Sequence, residues 1–350
     1  MQMFSTVRSG NVPTLSGIQS IRRAAALVAL SALLFCAACR SKTSFVIAVI
    51  PRTSGNSLWE PAHGGAEIAA MHTGASIYWN APTREDDIEG QIALVDQVVA
   101  RGYQGLVLVP DQALSLITPV RRALASGVPT VILSSQLPIP AGGNLSYILN
   151  DEETGGWIAA QRIATLLNHH SSLPRGGVVV VLGVNPAIAG ITTRVRSLEL
   201  FLAKQEPGIQ LIKKMGSFNV LHEQQVAEEA LKSTPDVDVI VALTWASARG
   251  AITAIESASQ KRDIKVLAFD PDGAPPFNLK SLDSVIIQNT RAMAQQAVEQ
   301  VDARHNGRFV PQLVKLRPML VTRDNIDSPE VRNWTSMDWR AVPWNWSTTH

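Results

Sequence analysis

From Ser44 onward, the sequence alternates short runs of β-branched residues with longer segments that have the period of an amphipathic helix. Residues 178–182, for example, read Val-Val-Val-Val-Leu, an unbroken apolar run that is typical of a strand covered by helices on both faces of its sheet. Alternation of this kind is the pattern of βαβ units with a parallel sheet. The sequence therefore predicts an α/β fold.

The alternating series runs twice along the chain, and this repetition predicts two Rossmann-like lobes. A chain of 350 residues is long enough for each lobe to bury its own core. An extended segment at residues 311–320 returns the chain to both lobes, so three crossings, expected near Asn150, Asn289 and Val321, form a hinge. We predict an N-terminal lobe of residues 44–149 plus 290–317 and a C-terminal lobe of residues 150–289 plus 318–328.

The end of the chain differs in composition from both lobes. Residues 329–350 are polar and rich in tryptophan, and we find no regular period among Trp334, Trp339, Trp344 and Trp346. We predict a tail that packs against the lobes; a separate module is the alternative.

Residues 1–39 have the composition of an export signal. They contain no Asp or Glu, and Arg22 and Arg23 stand directly before the apolar residues 24–38. This run of about 15 residues is shorter than the roughly 20 that a membrane-spanning helix needs. We expect a cleaved signal peptide and a protein on the periplasmic or cell-envelope side of the membrane; an anchor that is never cut is the alternative.

Both cysteines of the chain, Cys36 and Cys39, lie in this leader, so the mature body has no internal disulfide. Residues 34–39 resemble a bacterial lipobox, in which a diacylglyceryl group is attached to the cysteine that becomes the new N-terminus. The small residues Ala37 and Ala38 favour Cys39 as the lipidated position, although Cys36 stands where the family usually has Leu. The alternative interpretation is that both cysteines are simply apolar residues of a signal peptide that is removed.

The charge balance argues against a nucleic-acid partner. The whole chain has 31 Lys and Arg against 29 Asp and Glu. Loss of Arg8, Arg22 and Arg23 with the leader leaves 28 basic residues and a net charge of −1. A nucleic-acid-binding protein would normally show a basic excess, and no helix-turn-helix segment precedes the first βαβ unit.

Several short motifs, in this order and spacing, resemble the ribose-binding-protein family of sugar-binding proteins, which has the type I periplasmic binding protein fold. They include Asn56-Ser57-Leu58-Trp59, the Asp151-Glu152-Glu153-Thr154-Gly155-Gly156 segment, Thr192-Thr193-Arg194 and Phe269-Asp270. The resemblance covers roughly residues 44–328. It implies a monomer that closes two lobes on a small ligand, most often a carbohydrate, and delivers it to the permease of an ABC importer.

The resemblance implies a binding site for this ligand, without a metal or another cofactor. In the family, the loop after the first strand supplies an Asn and aromatic residues that stack on a sugar ring. Without the resemblance, Asn56 and Trp59 would be interpreted as a helix N-cap and a core tryptophan. The ligand-binding residues that we predict are Asn56, Trp59, Ser134, Arg194, Phe218, Thr244, Trp245, Asp270 and Gln288.

Two of these residues carry charge that suits hydroxyl groups. The guanidinium of Arg194 presents fixed, forked donors. Asp270 follows an apolar strand at its carboxyl end, where α/β sheets bind ligands, and its carboxylate can accept two hydroxyls. A turn residue before Pro271 is the alternative for Asp270.

Two departures from the family pattern bear on the ligand. Ser134-Ser135 stands where ribose-like proteins carry Asp-Arg, and Thr244-Trp245 stands where they carry Asn-Asp. We expect a pocket with less charge and more aromatic surface, for a ligand other than ribose that is larger, deoxygenated or less polar.

Other function classes find little support in the sequence. There is no phosphate-binding G-x-x-x-x-G-K-[ST] motif and no G-x-S-x-G nucleophile motif. His63-Gly64-Gly65 resembles an esterase oxyanion loop faintly, and a hydrolase is the minor alternative to a non-enzymatic binding protein. A sensory protein that presents its bound solute to a sensor kinase or chemoreceptor would use the same lobes and remains open beside transport.

The leader generates the first prediction. We expect mass spectrometry of the membrane fraction to find a mature chain that begins at a diacylated Cys39, and the Cys36→Ala variant to be processed in the same way. The Cys39→Ala variant should not be lipidated. Release of a soluble chain cut elsewhere, with Cys39 unmodified, would contradict this prediction.

Overall fold

The computed structural model describes residues 45–169, 176–258, 263–272 and 277–337. The leader with Cys36 and Cys39, and the tail tryptophans Trp339, Trp344 and Trp346, lie outside these residues. Within the described part of the chain, no helix combines the length and apolarity that crossing a membrane requires.

The first lobe begins with a regular alternation of strands and helices. Its strands are β1 (Val46–Ile50), β2 (Ser76–Trp79), β3 (Gly105–Leu108), β4 (Thr130–Ser134) and β5 (Leu145–Asn150). Its first helices are α1 (Glu60–Thr73), α2 (Ile88–Ala100) and α3 (Ile117–Ala125).

The second lobe repeats the alternation. Its helices are α4 (Glu152–His169), α5 (Ala189–Gln205), α6 (Val220–Ser233) and α7 (Trp245–Ser257). Its strands are β6 (Val178–Val184), β7 (Gln210–Met215), β8 (Val239–Ala242), β9 (Lys265–Phe269) and β10 (Leu282–Ile287). The chain then returns to the first lobe through α8 (Thr290–His305) and β11 (Leu313–Leu316), and ends its described part with β12 (Met319–Thr322) and α9 (Pro329–Thr335).

The two sheets have the same topology. The strand orders are β2-β1-β3-β4-β5-β11 and β7-β6-β8-β9-β10-β12. All neighbouring strands are parallel except β12, which is antiparallel to β10. This confirms the predicted α/β fold with two Rossmann-like lobes, and β12 is a departure from purely parallel sheets.

The central strands bury both of their faces, as their apolar sequences predict. In β1, Ile47 and Val49 pack into one core layer, and Ala48 and Ile50 pack into the layer on the opposite face. Strand β6 alternates in the same way between the two layers of the second lobe. Each sheet is therefore a rigid platform between two layers of helices.

The late extended segment, predicted as one piece, is two strands in different sheets. Strand β11 pairs with β5, and β12 pairs with β10. Arg317 and Pro318 lie between them, and Pro318 has no N–H with which to continue a ladder. The third crossing is at these two residues, a few positions before Val321, which lies inside β12.

The start of the tail is also more regular than its sequence indicates. Ser328 accepts a hydrogen bond from Val331 N at 3.3 Å and caps α9, which has Pro329 in its first turn. Val331 is buried in the core of the second lobe, and Trp334 packs against the same core. Seven residues are too few to show a clear period, which explains why the sequence analysis missed this helix.

Besides the three crossings, Trp245 and Asp272 of the second lobe form hydrogen bonds with the first lobe. The indole Nε1 of Trp245 donates to a carboxylate oxygen of Glu85 at 3.0 Å. Ser57 donates to Asp272 Oδ1 from its backbone N at 2.8 Å and from its hydroxyl at 2.7 Å. Hydrogen bonds to charged groups are each worth about 1.5–3 kcal/mol, so these contacts hold the lobes together.

We expect the Trp245→Phe/Asp272→Ala double variant to have a larger radius of gyration than the wild-type protein, because it loses both contacts while the three crossings keep their freedom to bend. Small-angle X-ray scattering of the ligand-free protein checks this. The control double variant Trp157→Phe/Asp263→Ala changes the same residue types on the outside of the second lobe and should leave the radius unchanged. Equal radii for both variants would contradict the assignment.

Candidate functional site

The carboxyl ends of both sheets open onto one cavity between the lobes, which we call the cleft cavity. Ser134 and Asn150 are the last residues of β4 and β5, and Asp270 and Gln288 directly follow β9 and β10. All four line the cleft cavity, whose volume is about 60 Å³. This is the edge at which open α/β sheets bind their ligands.

The structure brings most of the predicted residues together here. Eight of the nine line the cleft cavity, namely Trp59, Ser134, Arg194, Phe218, Thr244, Trp245, Asp270 and Gln288. Their contact with a ligand stays a prediction.

Asn56 is the exception, because its side chain serves the local backbone. Its Oδ1 accepts from Leu58 N at 3.2 Å and so caps the short 3-10 turn Ser57–Trp59. The turn then directs Trp59 into the core of the first lobe and to the cleft cavity. Asn56 lines a separate surface pocket beside Phe218 and Trp245, so the N-cap alternative describes its position better.

The charged centre of the site is a guanidinium between two carboxylates. Arg194 is 5% exposed and donates to both carboxylate oxygens of Glu152, with Nη2 to Oε1 at 3.1 Å. The same Nη2 donates to Asp270 Oδ2 at 2.8 Å, and Nη1 donates to Leu243 O at 2.9 Å. These bonds occupy four of its five N–H groups. Arg194 can therefore offer a ligand at most one donor. Its main role is to fix the position of the Asp270 side chain.

Close helix packing places this arginine beside its partners. A Cβ on Gly156 of α4 would lie 2.2 Å from Arg194 O, so only glycine lets α5 approach so closely. The face of the Phe269 ring lies 4.4 Å from the guanidinium carbon. The Gly155-Gly156 pair of the family motif thus has a packing role that sets the position of Arg194.

Burial and neighbouring charges shift the pKa values of the ionisable groups at the site. Burial raises the pKa of Asp270; the positive charge of Arg194 lowers it, but the negative charge of Glu152 adds to the increase, and the pKa stays above its ordinary value. Burial by itself would lower the pKa of Arg194, but the carboxylates of Glu152 and Asp270 outweigh it and raise the pKa above its ordinary value. Burial also raises the pKa of Glu85, against the opposing effects of Arg52 and the Trp245 hydrogen bond.

Five buried polar atoms of residues that line the cleft cavity have no hydrogen-bond partner among the described residues. They are Trp59 Nε1, Asn150 Oδ1, Asp270 Oδ1, Gln288 Nε2 and Gln288 Oε1. Buried polar atoms are normally paired, and each unpaired one costs about 1–3 kcal/mol. A polar ligand in the cavity would satisfy donors and acceptors together.

Two residues at strand ends have left-handed backbones, which is uncommon for residues other than glycine. The φ angle is +65° at Ser134 and +47° at Asp270. Such backbones cost of order 1–3 kcal/mol and cluster at binding and active sites. Here both occur where the chain turns out of a strand into the cleft cavity.

Trp245 and Thr244 both form hydrogen bonds within the protein, which limits the groups that they can present to a ligand. Trp245 gives its N–H to Glu85, so only its ring surface is available. Thr244 caps α7 in a capping box with Ser247. The cavity wall therefore presents the rings of Trp59, Phe218 and Trp245 beside a few oriented polar groups.

Several lining residues escaped the sequence analysis. Arg52 lies two residues beyond β1, and its Nη2 donates to Ser135 Oγ at 2.8 Å. This corrects the expected loss of charge at Ser134-Ser135, because a cation from another strand reaches the same wall. Glu85 and Glu152 also line the cavity. The sequence could have indicated Arg52, because it follows the carboxyl end of β1. No sequence pattern indicates that Glu152 pairs with Arg194.

His63-Gly64-Gly65 lies inside α1 and has a packing role. A Cβ on Gly65 would come within 2.0 Å of Arg291 O, so α1 and α8 approach closely at this position. The His63 ring stacks on Trp79 at 4.1 Å between centroids. The esterase resemblance therefore has no support in this geometry.

Two α/β lobes joined by three crossings, with a cavity at the carboxyl ends of both sheets, define a two-lobed binding protein. The profile of the periplasmic binding protein domain matches residues 47–308. The chain belongs to this family, and at the level of the family it is a binding protein and not an enzyme.

Named relatives and solved structures agree with this class. The D-allose-binding periplasmic protein of Escherichia coli K12 is 23% identical over 273 residues, covering 75% of this chain and 86% of the relative. The D-apiose import binding protein of Paraburkholderia graminis is 24% identical over 289 residues, covering 81% and 89%.

Among solved structures, a solute binding protein from Agrobacterium vitis bound with alpha-D-tagatopyranose has a TM-score of 0.73 at 23% identity, covering 83% of this chain and 99% of that one. One from Agrobacterium radiobacter in complex with D-arabinose has a TM-score of 0.75 at 20% identity, covering 85% and 100%. At these identities the likeness shows the fold.

The buried triad generates a stability prediction. Arg194→Ala leaves the carboxylates of Glu152 and Asp270 buried without their cation, so we expect the free energy of unfolding to fall by about 3–5 kcal/mol. Arg122→Ala, which breaks the exposed Arg122–Asp96 pair, is the control and should cost less than about 1 kcal/mol. Urea unfolding of both variants measures the difference. Equal losses would contradict the role given to Arg194.

Proposed function

We propose that this protein captures a monosaccharide or a similar small polyhydroxylated solute between its lobes and delivers it to an ABC importer. It acts as a monomer, tethered at Cys39 on the outer side of the membrane. The observation that carries the proposal is the set of five unpaired buried polar atoms beside aromatic rings in the cleft cavity.

The chemistry of the cavity suits a hydroxylated ring. Asp270 Oδ1 and Asn150 Oδ1 can accept from hydroxyls, and the Gln288 amide can both donate and accept. The rings of Trp59, Phe218 and Trp245 can cover the C–H faces of a sugar. A sugar therefore pairs with both kinds of wall, whereas a hydrocarbon would leave the polar atoms unpaired.

The size of the cavity favours a single sugar unit. About 60 Å³ corresponds to roughly four to six water-sized spheres at about 10–15 Å³ each. This is too little for an oligosaccharide, so a ligand of this cavity is at most one sugar unit. The relatives named for D-allose and D-apiose support the same ligand class, and the import protein among them supports delivery to a transporter.

A thermal-shift screen tests the proposal directly. We expect at least one of D-allose, D-ribose, D-apiose, D-arabinose, D-tagatose and xylitol to raise the Tm of the wild-type protein, because a ligand that binds the folded state stabilises it. Absence of any shift across monosaccharides and polyols at millimolar concentration, together with no heat in calorimetric titration, would contradict the proposal.

The ligand that the thermal-shift screen identifies should bind the Asp270→Asn variant about tenfold to more than a hundredfold more weakly than the wild-type protein in calorimetric titration, because a charged acceptor is lost. Asn tolerates the left-handed backbone at this position. The control is Asp263→Asn, at a 64% exposed side chain of the same lobe. His222→Ala is a less suitable control, because His222 Nδ1 lies 3.3 Å from Ser217 Oγ in the loop that carries Phe218.

A further inference from the structure

A second cavity adjoins the cleft cavity beside the second crossing, and we call it the hinge-side cavity. Its volume is about 130 Å³. It is bounded by the first lobe, by the ends of β9 and β10, and by the chain around α9. Its lining residues are Ser57, Leu58, Pro61, Asp270, Pro271, Ile287, Gln288, Thr290, Ile326, Trp334, Thr335 and Met337.

The two cavities share a wall. Leu58, Asp270, Gln288 and Thr290 line both of them. Both side-chain amide atoms of Gln288 and Oδ1 of Asp270 are buried without a partner among the described residues. The wall between the cavities is therefore one layer of side chains, and its unpaired polar atoms can serve a ligand that reaches both sides.

Beyond this wall the hinge-side cavity is apolar. Apart from the four shared residues, six of its eight lining residues are apolar, namely Pro61, Pro271, Ile287, Ile326, Trp334 and Met337.

The hydroxyl groups of two further lining residues, Ser57 and Thr335, are already engaged within the protein. Ser57 gives its N–H and its hydroxyl to Asp272, and the Thr335 hydroxyl donates to Val331 O at 2.8 Å. A water needs two to four polar partners, so this end of the cavity is a poor place for water.

Helix α9 forms the far wall of the hinge-side cavity and is packed firmly against the second lobe. Helix α9 is capped by Ser328, anchored by the buried Val331, and held against the core of the second lobe through Trp334. The position of Trp334 over the cavity is therefore set by packing.

We propose that the hinge-side cavity holds the apolar aglycone of a glycoside whose sugar ring occupies the cleft cavity. The inference rests on the proposed function and narrows its ligand to aryl and short-chain alkyl glycosides. An apolar cavity of about 150 Å³ accepts a benzene molecule, so a volume of about 130 Å³ accommodates a group close to that size.

The shared wall explains how one ligand could use both cavities. The sugar hydroxyls would pair with Asp270 and Gln288 on the polar side, and the glycosidic substituent would pass between the shared side chains to the apolar side. Burial of the substituent removes its surface from water and adds to affinity without any further hydrogen bond.

Calorimetric titration with matched glycosides tests the proposal. The probes are D-ribose, D-galactose and D-glucose, each as the free sugar, the methyl glycoside and the phenyl glycoside in both anomeric forms. For at least one sugar, we expect the phenyl glycoside to bind the wild-type protein about tenfold to a hundredfold more tightly than the methyl glycoside. Phenyl glycosides that bind no more tightly than methyl glycosides overturn the proposal.

A cavity-filling variant locates the effect. Ile326→Trp places a larger side chain in the hinge-side cavity, so the preference for the phenyl glycoside should disappear while methyl-glycoside affinity stays within about threefold of the wild-type value. The control is Ile209→Trp, at a partly buried isoleucine of the same lobe outside both cavities. A phenyl preference that persists in a folded Ile326→Trp protein overturns the location.

These outcomes separate the inference from the proposed function. Binding of free sugars or methyl glycosides without a phenyl preference supports a sugar-binding site and overturns the aglycone site. Failure of every sugar and glycoside, together with the screen of free sugars and polyols above, overturns both. If Ile326→Trp does not fold, the wild-type ratio of methyl to phenyl glycoside affinity still decides the proposal.

Discussion

A continuous line of hydrogen bonds, centred on Arg194, ties the two halves of the cleft cavity together. Asn150 Nδ2 donates to Ser134 Oγ and to Glu152 Oε1, both at 3.1 Å. Glu152 accepts from Arg194, and Arg194 donates to Asp270. The line runs from the end of β4 through the first crossing to the end of β9. Because Arg194 and Glu152 are buried and Asp270 is partly buried, each charged member depends on its neighbours to offset the cost of desolvation.

This arrangement explains why some polar atoms of the site are left over for a ligand. Asn150 uses both N–H groups in the line and keeps its carbonyl oxygen unpaired, and Asp270 gives one oxygen to Arg194 and keeps the other. The line fixes the direction of each side chain, so the unpaired atoms are oriented before a ligand arrives. Orientation of this kind reduces the entropy that binding would otherwise cost.

The lobes are joined by features of unequal strength. Three crossings at the ends of β5, β10 and β11 are covalent, whereas the Glu85–Trp245 and Ser57–Asp272 contacts can break. A ligand that touches both lobes adds to the breakable contacts, and it shifts the balance between open and closed forms only by this difference in affinity. Trp245 takes part both in a breakable contact and in the ligand site, since its N–H donates to Glu85 of the first lobe and its ring lines the cavity.

The sequence by itself determined the α/β class, the two lobes and the strand ends at which Ser134, Asp270 and Gln288 lie, because apolar periodicity is a local property and parallel strands present their carboxyl ends at one edge. Only the tertiary structure decided that Asn56 caps a turn, that Arg52 reaches Ser135, and that Glu152 shares Arg194 with Asp270. It also decided that α9 closes the hinge-side cavity. These contacts join residues up to 83 positions apart, such as Arg52 and Ser135, where local pattern gives no signal. Their geometry follows from how closely the helices and sheets pack, as at Gly156 against α5.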